Sequence, residues 1–96
     1  MILRERRTEQ GLMVAVCDRD VLGETFENGE LSLTVTEAFY GGDEVDEGEV
    51  VDSLARANIA NIVASRSVEV AVEAGIIDAE CVLDVGETRH AQLVRI

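Results

Sequence analysis

The chain has 96 residues, 47 % of them hydrophobic, and no proline. That is enough apolar material for one domain, residues 1–96, with a small aliphatic core, and it excludes a disordered chain. Twenty acidic residues against eight basic ones leave a net charge of −12, which argues against simple electrostatic attraction to nucleic acid. All eight basic residues are Arg, and the chain has no Lys. An acidic excess without lysine fits a protein from a salt-in halophile, where the Debye length falls to about 3 Å and like charges hardly repel. A merely acidic protein is the plainer alternative. Met1 leads into charged residues without an apolar targeting segment, and the longest charge-free stretch, Ala57 to Ser65, is too short to span a bilayer. Cys17 and Cys81 have no metal-ligand spacing. The expectation is a cytoplasmic protein with reduced thiols, no membrane contact, no metal and no cofactor.

Ile2 to Arg7 reads as a strand, followed by a turn over Thr8 to Gly11. The continuous apolar run Leu12 to Cys17 fits a central strand buried on both faces. Asp18 to Gly23 is a polar loop, Glu24 to Glu27 a short strand, and Asn28-Gly29 a hairpin turn. Leu31, Leu33 and Val35 alternate with Ser32, Thr34 and Thr36, the period of a half-buried strand. After Gly42 the period changes. Val51, Leu54, Ala55, Ile59, Ile62 and Val63 fall on one helical stripe, which predicts a helix from Glu47 to Val63 with Asp46 as N-cap and Asp52–Arg56 as a surface pair. A second helix begins after Ser65 or Ser67 and stops at Gly75. Cys81 to Val85 and His90 to Ile96 read as strands around the turn at Gly86. The order predicts an α+β fold: a mostly antiparallel sheet with two consecutive helices inserted between N-terminal and C-terminal strands.

Several short strings occur in one order: Val14-Ala15-Val16-Cys17-Asp18, Leu22-Gly23, Phe39-Tyr40-Gly41-Gly42, Ala60-Asn61-Ile62-Val63 and His90-Ala91-Gln92. In this the chain resembles the archaeal domain-of-unknown-function family 424, as a haloarchaeal-type member. The resemblance runs almost end to end. It implies a small single-domain protein and a loose association with translation or RNA handling. It transfers no catalytic residue.

The remaining residues offer candidates for binding. Gly41-Gly42 reads as a positive-φ turn, or as a close backbone approach to a ligand beside Tyr40. His90, the only histidine, shares a strand face with Gln92, and two polar groups so placed can read a base edge or orient a water. Asn58 sits inside the helical stripe, where an unpaired amide costs about 1–3 kcal/mol, so it must bond backbone, with the loop from Phe39 to Gly42 the expected partner. Asn61, three positions on, would extend it into a polar patch. Between Arg19 and Arg56 lie eleven acidic residues and no basic one. If the terminal strands are neighbours, Arg4, Arg6, Arg7, Arg89 and Arg95 gather on one side, with Arg4 and Arg6 sharing a face and Arg7 on the other.

Three classes of function remain. The first is a non-catalytic interaction module bound to RNA or to a ribosome-associated protein. The second is a small-ligand binder or enzyme with a site around Tyr40, Asn58, His90 and Gln92. The third is a structural subunit or a homodimer. The charge pattern generates a test of its own. The lysine-free acidic surface should make the protein melt at a higher temperature in molar KCl than in dilute buffer. An unchanged or lower melting temperature in salt would remove the halophile reading.

Overall fold

The computed structural model describes residues 1–95. Chain order gives β1 (Ile2–Thr8), β2 (Gly11–Cys17), a single 3-10 turn (Arg19–Val21), β3 (Thr25–Asn28), β4 (Leu31–Thr34), α1 (Glu37–Tyr40), β5 (Asp43–Glu44), α2 (Glu47–Arg56), β6 (Ile59–Val63), α3 (Ser65–Glu73), a second 3-10 turn (Ala79–Cys81), β7 (Leu83–Val85) and β8 (Thr88–Val94). The expected extension of the last strand to Ile96 lies outside the described residues. Six strands form one sheet in the order β5-β1-β2-β6-β8-β7, while β3 and β4 form a separate hairpin. Among the described residues only β2 and β6 run parallel, and the other pairings are antiparallel. This is the expected α+β class with a mostly antiparallel sheet.

β2 is central and buried because Leu12, Val14 and Val16 point to one face while Ala15 and Cys17 point to the other. The first set packs beneath α2 and α3 with Val50, Leu54, Ile62, Val68 and Ala71. The second packs with Val35, Tyr40, Val63 and Ala64 beneath α1 and the β3–β4 hairpin. The turns follow their sequence signals: Gly29 (φ +62°), Gly75 (φ +74°) and Gly86 (φ +59°) take conformations that L residues avoid. Asp46 caps α2 by accepting from the Glu49 N–H at 2.9 Å. Arg56 and Asp52 pair at 3.3 Å. The cap of α3 comes from elsewhere in the chain: Asp18, just beyond β2, accepts from the Ser67 N–H and hydroxyl at 2.7 Å each and from the Arg66 N–H at 3.1 Å.

The helix expected over 47–63 ends at Arg56, and its last part is the strand β6. The two main helices are therefore not consecutive; a strand lies between them. The helical phase also differs: Val50, Ser53 and Leu54 are buried, whereas Ala55 is exposed. Ile59 to Val63 is a short apolar run whose burial on both faces of a central strand imitates a helical stripe.

Asn58 explains the break. Its N–H donates to the Leu12 carbonyl at 2.8 Å, and its Oδ1 accepts from the Leu12 N–H at 2.9 Å. Its own carbonyl accepts from the Arg95 N–H at 2.7 Å. The residue is a clamp, as expected, but its partners are β2 and the end of β8 rather than the Phe39–Gly42 loop. Gly11 makes room for it: at φ +105°, a Cβ there would lie 2.2 Å from Asn58 Oδ1. Asn58→Leu should cost about 1–3 kcal/mol by leaving the Leu12 N–H unpaired, and Gly11→Ala should cost more than about 2 kcal/mol through strain and collision together. Denaturant unfolding of each variant measures this; changes within about 0.5 kcal/mol would show that the junction is not structural.

Candidate functional site

The register fixes which residues share the sheet face turned away from α2 and α3. One cross-strand row is Ile2, Cys17, Val63, His90 and Leu83; the next is Arg4, Ala15, Asn61 and Gln92; the third is Arg6, Met13, Ile59 and Val94. The hairpin and α1 cover the first row at its β1–β2–β6 side. The other two rows stay uncovered toward β6 and β8: Met13, Ile59 and Asn61 are half-buried, and Gln92 and Val94 are exposed. At the end of this strip lies a recess of about 330 Å³ lined by Gln10, Asn58, Ile59, Val94 and Arg95. None of these thirteen positions on β1, β2, β6, β7 and β8 is a carboxylate, in a chain with twenty; the first row continues onto β5 at Glu44, the register partner of Ile2. The opposite face carries Glu5 on β1 and Asp84 on β7.

The expected ligand constellation is not assembled. Tyr40 is buried against Cys17 and Val63 and meets Phe39 edge-on at 5.0 Å. Burial, and then the neighbouring Cys17, push its hydroxyl up to about 12. Burial likewise pushes the Cys17 thiol up to about 11, which makes it a packing residue rather than a nucleophile. Asn58 lies five residues before Val63, the register partner of His90, about 16 Å along an extended chain. His90 and Gln92 do share a face, with His90 half-buried and its pKa lowered by that burial. Asn61 and Gln92 are direct register partners across β6 and β8. Asn58 and Asn61 part company, because positions three apart in extended chain face opposite ways. Among the described residues no His, Cys, Asp and Glu cluster could hold a metal ion, and Cys81 is exposed while Cys17 is buried.

The five arginines do not gather either, because β2 and β6 separate β1 from β8. Arg4 and Arg6 lie on the open face, and Arg7 and Arg89 on the other. Arg4 donates to the Gly41 carbonyl at 3.2 Å, and Arg6 donates to the Ala38 carbonyl while stacking over the Phe39 ring at 5.0 Å. Both thus tie α1 to the sheet. Arg95 Nη1 donates to the carbonyls of Leu54, Ala55 and Ala57 at 2.9–3.1 Å, closing the C-terminal end of α2. Arg89 faces Asp84 at 3.7 Å. Gly41 and Gly42 do not have positive φ, so the expected turn conformation is absent. They are glycines for close approach to the chain itself: a Cβ on Gly42 would lie 2.1 Å from the Leu3 carbonyl oxygen, and one on Gly41 2.4 Å from that of Glu37.

A groove of about 920 Å³ runs between β1, β5 and the start of α2, a feature with no signal in the sequence because strand and helix meet there only through folding. Its polar floor is already paired: the Ser53 hydroxyl donates to Glu5 Oε2 at 2.6 Å, and Arg56 Nη2 donates to the same oxygen at 2.8 Å. Ser53 first, and then Arg56, hold the Glu5 carboxyl below its ordinary value. A carboxylate so held is a weak base, and the hydroxyl it accepts from is buried. The depressed pKa gives stability that is present above the ordinary value of 4.5 and lost as the pH falls through the folded value. Glu5→Gln should therefore cost about 0.5–1.5 kcal/mol near neutral pH and should lose less stability than the parent on acidification below pH 4.5. Parallel stability curves for the two proteins in acid would show that Glu5 contributes nothing.

A family model described as "Protein of unknown function (DUF424)" matches residues 5–96. The fold is similar to that of an uncharacterized conserved protein from Methanopyrus kandleri, with a TM-score of 0.79 and 21% identity over 96% of this chain and 88% of that one. At this identity the likeness speaks for the fold alone. No curated protein matches the sequence. No helix among the described residues is long and apolar enough to cross a membrane. With the family model spanning all but the first four residues, the chain belongs to the DUF424 family of proteins of unknown function.

Proposed function

We propose that this protein is a non-catalytic interaction module of a salt-adapted cytoplasm, and that it presents its open sheet face to a protein partner. The observation that carries this reading is the contrast in charge. A molecule of net charge −12 keeps the β2–β6–β8 part of this face free of carboxylates and lays apolar Met13, Ile59 and Val94 beside the amides of Asn61 and Gln92. Exposed apolar and amide groups together make a surface that can be dried by a complementary protein and still satisfy hydrogen bonds.

RNA is the second reading, favoured by Arg4, Arg6 and His90 on the same face. Two features weigh against it. The β2, β6 and β8 positions of the face include no Phe, Tyr or Trp on which a base could stack. Arg4 and Arg6 already spend hydrogen bonds on α1. An enzyme reading has less support, since the groove's serine is buried and its carboxylate is a weakened base.

The test is capture from a native lysate in molar KCl by the parent and by a Met13→Glu, Asn61→Asp double variant whose folding has been verified. Unpaired charge on the face should weaken retention of the partner by at least about tenfold. Undiminished retention by the variant would show that the face is not the interface, and capture abolished by ribonuclease would favour RNA.

A further inference from the structure

The sheet has two outer margins, and they are guarded differently. On one side β5 pairs with Ile2 and Leu3 only. The stretch of β1 beyond it begins Arg4-Glu5-Arg6-Arg7, four consecutive charged residues. Charges of this kind are how natural sheets discourage further pairing. On the other side β7 is three residues long and pairs with Thr88, Arg89 and His90 only. The rest of β8, Ala91-Gln92-Leu93-Val94, has β6 on its inner side and, among the described residues, no strand on its outer side. Among the described residues, no backbone group outside the sheet hydrogen-bonds to these four. They carry no charge, no proline and no lysine. Val94 is 62% exposed and Leu83, the residue at the open end of β7, is 59% exposed. The margin that is left bare is also the margin beside the carboxylate-free β2–β6–β8 part of the open face, far from Glu44 at the β5 edge.

We propose that the outer edge of β8 at Ala91–Val94 accepts an extended, acidic segment of another protein as an added strand. The inference rests on the reading of the chain as a protein-binding module and names the form of its partner. An added strand would supply the main-chain hydrogen bonds this edge lacks, and its alternate side chains would lie beside Gln92 and Val94. Charge complementarity makes the segment acidic. From Thr88 to Arg95 the chain has Arg89 and Arg95 at either end of the open edge, and no carboxylate. Arg95 makes its three internal hydrogen bonds through Nη1 alone. Among the described residues, Arg89 is held by a surface contact of 3.7 Å with Asp84. Each can therefore donate a charge-assisted hydrogen bond to an incoming carboxylate. A second copy of this chain fits worse: antiparallel pairing of β8 with itself would oppose the same basic residues, and each copy brings a charge of −12.

The probe is a short synthetic peptide of alternating Val and Asp, titrated into the isotopically labelled protein in molar KCl and followed by amide resonances and hydrogen exchange. Shifts and new protection should concentrate at Ala91–Val94. Methylating alternate peptide nitrogens along one edge, which removes donors and keeps every side chain, should weaken binding by at least about tenfold. Replacing Asp by Asn in the peptide, or Arg89→Gln in the protein, should weaken it about threefold. Equal binding by the methylated peptide would overturn the added strand while leaving the open face as the docking surface. Shifts confined to Met13, Ile59 and Asn61, absence of binding, or concentration-dependent self-association through β8 would each overturn it as well. Loss of partner capture by the face variant alone bears on the broader reading, so the two failures are distinguishable.

Discussion

Asn58 meets three strands at one end of the sheet. Its backbone and side chain bond both polar groups of Leu12, and its carbonyl takes the N–H of Arg95. These bonds fix the register of β6 between β2 and β8. Register is decisive in a strand, because a slip of one residue moves every side chain to the other face. In the observed register Ala60 and Ile62 enter the core beneath the helices, and Asn61 joins Gln92 on the open side. One residue off, Ala60 and Ile62 would face outward and the Asn61 amide would lie in the core without partners. The composition of the open face is thus a consequence of the junction at Asn58 and Gly11.

Much of the local structure was legible because it rests on local chemistry. The doubly buried run of β2, the turns at Gly29, Gly75 and Gly86, and the Asp46 cap each depend on a few adjacent residues. β6 was not legible. Its burial comes from neighbours on both sides that are distant in sequence, and its apolar spacing satisfies helix and strand alike. Gly41 and Gly42 were recognisable as constrained positions, but the constraint is contact with Glu37 and Leu3 rather than a turn angle. His90, Gln92 and Asn61 could each be singled out from sequence. That Asn61 and Gln92 are register partners follows only from strand order. The same strand order scatters the arginines that a guess of adjacent terminal strands had grouped.

The arginines are used in a way that fits their lack of lysine companions. Arg4, Arg6 and Arg95 donate to backbone carbonyls, and Arg19, Arg56, Arg66 and Arg89 face carboxylates. Their planar forks form directed bonds at short range, which survive screening better than the diffuse attraction of a flexible ammonium. The carboxylates, by contrast, are mostly unpaired and exposed. A protein built this way has spent its cations on holding elements in place and keeps few for recognition at long range.

That allocation bears on what the molecule can recognise. Where long-range attraction is weak, selectivity must come from contact: dry apolar surface, amides that need partners, and backbone edges that need hydrogen bonds. All three lie together on and beside β8. The β1 margin has the same need for backbone partners, but a strand joining it would have to desolvate Arg4, Glu5, Arg6 and Arg7, of which the first three already hold internal hydrogen bonds. At Ala91–Val94 an arriving strand meets no such cost. The asymmetry between the two margins is therefore energetic as well as geometric, and it gives the sheet one direction in which it can grow.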